Sequence, residues 1–106
     1  AITLTNSSSV GNEELAGLPE KFDLKPNYPN PFNPSTQIAF DLPESTDVRL
    51  MVFDVLGRHV ATLINQPMKA GTHTVSFDAQ RLASGVYIYR LEAGSFSMTR
   101  NMMLIK

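Results

Sequence analysis

The chain holds few side chains able to do covalent or metal chemistry, and their settings limit what that chemistry could be. His59 and His73 each stand just past a turn glycine, Gly57 and Gly71. An imidazole there is a solvated group flanking a turn; work as a base or metal ligand would need an orienting carboxylate or further ligands at set spacing. The serines lie mostly in Ser7-Ser8-Ser9 and in loop-like stretches, and none has the strand-turn-helix context that raises a nucleophile. Asp23, Asp41, Asp47, Asp54 and Asp78 fall at the ends of strand-like runs or on outward positions, where a carboxylate closes turns. No Asp-x-Asp-x-Asp spacing marks a calcium loop. Paired carboxylates for glycoside hydrolysis need a cleft, and a small sandwich over residues 22–106 offers little room for one. Cysteine is absent, which excludes disulfides, thiolate chemistry and cysteine–zinc sites. These residues read as a non-catalytic domain with no cofactor and no metal.

Charge and hydropathy narrow the partners. A formal net charge of −1 provides neither a basic field for nucleic acid nor a polybasic anchor for an anionic membrane. No apolar run exceeds four residues, whereas a membrane-spanning helix needs about 20. The first ten residues show no charged region followed by an apolar block, so no signal peptide is read there. With 42% apolar residues, a small domain without covalent staples can still build a core.

The most distinctive segment is Tyr28-Pro29-Asn30-Pro31-Phe32-Asn33-Pro34, followed by Ser35-Thr36. Proline lacks an amide hydrogen and fixes φ, so this stretch is neither a helix interior nor a central strand. It reads as a kinked edge element in which Asn30 and Asn33 close turns and Tyr28 and Phe32 pin the segment to a core.

The elements around it are strands. Residues 1–21 are small, polar or charged without a sustained period and read as a linker from an upstream domain, with a first strand at residues 2–4 as the alternative. From Phe22 onward short runs alternate with turn signals. Residues 36–42 place Ile38, Phe40 and Leu42 on one face. Residues 48–55 are apolar on both faces except at Arg49 and Asp54, as in a central sandwich strand. Leu56-Gly57-Arg58 is a tight turn, residues 60–64 resume a strand, and residues 67–69 read as irregular. Residues 72–78 turn Val75 and Phe77 inward, and Leu82 in the next connection plugs the core. Gly85 opens a strand with Tyr87, Tyr89 and Leu91 on one face, Ala93-Gly94-Ser95 turns it, and residues 96–106 form the last strand. About seven strands at regular spacing with no helical period argue for an immunoglobulin-like antiparallel β-sandwich. Three tyrosines, six phenylalanines and no tryptophan leave little for the flat aromatic row of a sugar-binding face.

Five pieces, in order, carry a resemblance: Asn27 through Thr36 around the prolines, Val52-Phe53-Asp54-Val55-Leu56-Gly57-Arg58, Ala70-Gly71-Thr72-His73, Leu82-Ala83-Ser84-Gly85-Val86-Tyr87, and the terminal Met103-Leu104-Ile105-Lys106. Over residues 27–106 the chain resembles the type A C-terminal sorting domain of proteins exported by the type IX secretion system. A related immunoglobulin-like module occurs in flagellar hook-capping proteins. The resemblance implies a cargo-borne address that transits the periplasm and is read by an outer-membrane translocon and a barrel-shaped shuttle protein. It also implies that a sortase-like peptidase cuts in the preceding linker and that the upstream passenger ends up secreted or on the cell surface. Carried onto matching positions, the recognition residues would be Gly85, Tyr87, Met103, Leu104, Ile105 and Lys106. The family often carries a lysine a few residues before its end, where this chain has Asn101 and Met102. The last strand is expected to run past the best-paired part of the sheet and leave an open edge for β-augmentation. The alternative function is an immunoglobulin-like spacer or carbohydrate-binding module of a larger extracellular enzyme. Position separates the two: a sorting domain must be C-terminal, and the sequence stops at Lys106 without a tag.

Overall fold

Period-two alternation of apolar residues is realised as seven strands in a computed structural model that describes residues 18–106. The strands are β1 (Asp23–Leu24), β2 (Ser35–Leu42), β3 (Thr46–Asp54), β4 (His59–Met68), β5 (Gly71–Asp78), β6 (Gly85–Ala93) and β7 (Phe96–Leu104). They form two sheets, one ordered β1-β2-β5 and the other β4-β3-β6-β7, and every neighbouring pair is antiparallel. The chain crosses between sheets after β2, β4 and β5, which gives the expected immunoglobulin-like sandwich. Residues 1–17, with the alternative strand at residues 2–4, lie outside the described residues.

The inward faces follow the alternation. Thr36, Ile38, Phe40 and Leu42 of β2 are buried, as are Val48, Leu50 and Val52 of β3, Tyr87, Tyr89 and Leu91 of β6, and Met102 and Leu104 of β7. Leu82 packs against this core from the β5–β6 connection. One flank of the sandwich is closed by cross-sheet contacts. Phe22 stacks on Phe96 at 5.2 Å, the Tyr89 hydroxyl donates to the Lys25 carbonyl at 2.8 Å, and the Arg100 guanidinium donates to the Leu24 carbonyl.

Three sequence expectations need correction, and one short strand went unread. Of residues 67–69 only Lys69 is irregular: β4 runs on through Pro67, opposite Asp47, to Met68, because β4 is an edge strand where a missing amide leaves no ladder bond unmade. The two-residue strand β1 has too few residues to show a period, and it pairs with Asp41 and Phe40 of β2. Tyr28 does not pin the proline segment to the core, for its side chain is 80% exposed and only its backbone is bound, to Gln37 of β2. Phe32 does the pinning: it is buried, with its ring 6.2 Å from that of Phe77. Finally, β7 ends at Leu104, and its last residues are paired on both sides.

Phe77 is buried beneath the proline segment, so Phe77→Ala should cost about 3 kcal/mol through lost burial and the cavity left behind. In a domain of this size that lowers the thermal midpoint by more than about 10 °C. An unchanged melting curve would show that the ring is not part of the core.

Candidate functional site

Strand register brings the motif segments together. Asp54, at the end of β3, lies opposite Tyr87 near the start of β6. Gly85, Val86 and Tyr87 lie opposite Leu104, Met103 and Met102 of β7. The β3–β4 turn, the start of β6 and the end of β7 therefore share one end of the four-stranded sheet. The proline segment supplies the fourth piece. The Phe32 amide donates to the Met103 carbonyl at 2.9 Å, and the Ile105 amide donates to the Phe32 carbonyl at 3.0 Å. The Asn30 side-chain oxygen accepts from the Met103 amide at 3.0 Å.

Each piece is shaped by local chemistry. Pro31 and Pro34 offer no amide, so pairing with β7 centres on Phe32 and cannot spread along the segment. The segment's near end is held by the Thr36 hydroxyl, which donates to the Pro29 carbonyl at 2.9 Å, and by the buried Asn27 amide, which donates to Thr36 Oγ1 at 3.0 Å. At its far end the Pro34 carbonyl accepts from the Ala79 amide.

The β3–β4 turn is organised by one carboxylate. Asp54 Oδ1 accepts from the Leu56 and Arg58 amides, both at 2.9 Å, and Oδ2 accepts from Arg58 Nε at 2.8 Å. These donors, the Arg58 amide foremost, hold the Asp54 carboxyl below its ordinary range. Gly57 takes φ +85°, the left-handed conformation that favours glycine. At the start of β6, Gly85 has φ +153°, and a Cβ there would meet nothing within 4 Å. Its backbone conformation, rather than crowding, calls for glycine. Tyr87 is buried and donates its hydroxyl to the Ala83 carbonyl at 2.7 Å.

The six sequence-predicted recognition residues are thus neighbours, but they divide by exposure. Tyr87 and Leu104 face inward. Met103 is 43% exposed and Ile105 49%, on the opposite face from Leu104. Lys106 donates its backbone amide to Ser84 Oγ at 3.1 Å and its ammonium to the Gln80 carbonyl at 2.6 Å, and it forms no ion pair among the described residues. The expectation of an open edge at this end is corrected: Phe32 and Asn30 already occupy the outer backbone groups of residues 103–105. Two features went unread in the sequence. Asn30 reaches the last strand instead of closing a turn on its own backbone. Val55 and Leu56 stand in the β3–β4 turn with their side chains 63% and 74% exposed. The signal for the second was available, since two apolar residues at the centre of an Asp-x-x-Gly turn have no place in a core.

The histidines take no part. His59 Nε2 lies 2.7 Å from Thr62 Oγ1, and His73 Nε2 lies 2.7 Å from the Lys69 carbonyl. Among the described residues no three histidines or acids gather to hold a metal ion, and no helix is long and apolar enough to cross a membrane.

A family model described as the secretion system C-terminal sorting domain matches residues 27–106. The chain belongs to that family. Its members are type IX sorting signals, borne by secreted or surface proteins. Among solved structures, this sorting domain is similar to part of PorU from Porphyromonas gingivalis, known as a dimeric latent form, with a TM-score of 0.63 and 19% identity. It is also similar to part of PorZ, an essential surface component of the type IX secretion system of the same organism, with a TM-score of 0.55 and 20% identity. The matches cover 79% and 82% of this chain but only 9% and 12% of those chains, so the likeness is one of fold. No curated protein matches the sequence.

Two outcomes check the geometry. Amide exchange should be slow at Met103 and Ile105, and Asn30→Ala should release Met103 while the centre of β3 stays protected; fast exchange at both positions in the parent would show that the segment is not bound to β7. Because the Asp54 pKa is depressed on folding, the stability it gives is complete above the ordinary value of about 3.9 and is lost as pH falls through the folded value. Melting temperatures of Asp54→Asn should therefore fall less than the parent's below about pH 4, and parallel curves would show that Asp54 is not bound as described.

Proposed function

We propose that this sorting domain is a non-catalytic address, read in its folded form in the periplasm by the outer-membrane translocon and barrel-shaped shuttle of the type IX system. The observation that carries this reading is the convergence of the proline segment, the β3–β4 turn, the start of β6 and the end of β7 at one end of the sandwich. There the buried residues hold the end together, and Met103, Ile105 and Lys106 remain accessible to a partner. Gly85 and Tyr87 act in recognition by setting the backbone on which Met103 is presented. Residues 1–21 serve as the linker to a passenger and as the place where a sortase-like peptidase cuts; the stacking of Phe22 on Phe96 supports a folded unit that starts at residue 22.

Deleting the last residues would confuse recognition with folding, because Leu104 is 1% exposed. The cleaner test alters only accessible side chains. The chain is fused to a fluorescent carrier in a host with this secretion system, and medium and cell surface are compared with periplasm. The parent fusion should be exported. Met103→Ser with Ile105→Ser should lower export roughly tenfold, the loss expected when about 1.4 kcal/mol of apolar contact is removed from a complex. A parent fusion retained in the periplasm would favour the spacer or sugar-binding reading.

A further inference from the structure

The motif from Leu82 to Tyr87 begins in the β5–β6 connection, residues 79–84, and Gly85 and Tyr87 account only for its second half. The connection is bound along its length. The Ala79 amide donates to the Pro34 carbonyl, the Gln80 amide to Asp78 Oδ1 and the Leu82 amide to the Ala79 carbonyl, while the Ala83 carbonyl accepts from the Tyr87 hydroxyl. Lys106 adds two further bonds. Its ammonium donates to the Gln80 carbonyl at 2.6 Å, and its backbone amide donates to Ser84 Oγ at 3.1 Å.

Both bonds bear on Ile105. Strand β7 ends at Leu104, so Ile105 lies beyond the ladder with β6. On one side its amide is bound to the Phe32 carbonyl. On the other, the next fixed point is Ser84, reached through the Lys106 amide. The chain thus closes a ring: Ser84 leads into Gly85, Gly85 pairs with Leu104, and Lys106 returns to Ser84. Inside this ring the backbone direction at Ile105 is set, and its side chain, 49% exposed, is held outward. The ammonium bond to Gln80 is charge-assisted, which makes it the stronger of the two, and it keeps Lys106 over the connection. A cation meant only for a partner needs neither bond; here the backbone and the side chain of Lys106 both bind the same connection.

We propose that Lys106 is a positioning residue for sorting: it clasps the β5–β6 connection to the end of β7 and so orients Ile105, rather than serving as a cation met directly by the reader. This rests on the sorting function proposed above. The test joins amide exchange on the purified full chain to the fusion assay. Lys106→Met and Ser84→Ala, both at exposed positions, should leave the thermal midpoint within a few degrees of the parent. Each should speed amide exchange at Ile105 and lower export roughly fivefold, the effect of about one hydrogen bond. The double variant should lose clearly less than the product of the single losses, because both changes break one clasp. Lys106→Arg keeps a donor and should restore export and slow exchange. Ser84→Ala exported like the parent while Lys106→Met is impaired, or losses that multiply in the double variant, would overturn the clasp in favour of a direct cationic contact and leave the sorting function standing. Unchanged exchange at Ile105 in both single variants would overturn its positioning by Lys106. Retention of the parent fusion in the periplasm would overturn the sorting function and the part of Lys106 in it, with the exchange result still deciding whether the clasp forms.

Discussion

The two hydrogen bonds between the Phe32 backbone and residues 103 and 105 are the constraint on which this end of the molecule depends. They work because the residues around Phe32 cannot compete. Pro31 has no amide to give, Pro34 has none either, and the Phe32 ring is held in the core beside Phe77. A longer paired segment would make a fifth strand with a new open edge of its own. A segment that pairs through one residue closes the edge of β7 locally and stops.

That closure also fixes which way the last side chains point. Side chains alternate along a strand, so once Leu104 is drawn inward Met103 and Ile105 must face out. A slip of one residue would bury Met103 and Ile105 and expose Leu104. Asn30 opposes such a slip from the side by accepting the Met103 amide. Gly85 and Tyr87 oppose it from β6, through their pairing with Leu104 and Met102. Buried and exposed residues of one motif therefore have different tasks: the first set a register, and the second offer a surface.

The sandwich was legible in the sequence because its strands alternate strongly. Ile38, Phe40 and Leu42, and likewise Tyr87, Tyr89 and Leu91, could be placed inward from spacing alone. What was illegible depends on tertiary partners. The pairing of Phe32 with Leu104 joins residues far apart in the chain and leaves no local pattern, so the last strand read as an open edge. Pro67 read as the end of a strand because sequence does not say which strands lie at an edge. Tyr28 and Phe32 looked equivalent as aromatics flanking Pro-Asn-Pro, and only packing separates the exposed ring from the buried one. The end proposed for recognition was visible as separate motifs. Their meeting at one end of the sheet required the register of β3, β6 and β7.

The central claim is that the sorting machinery touches this end of the sandwich and not its flanks. Site-specific photo-crosslinking during export tests it most directly, with the reactive group placed at Ile105 or, for comparison, at Thr74 on the outward face of β5. The expected result is an adduct with an outer-membrane component of the secretion system from position 105 and none from position 74. Equal adducts from both positions, or an adduct from position 74 alone while export proceeds normally, would contradict recognition through the end built by Phe32 and the last strand.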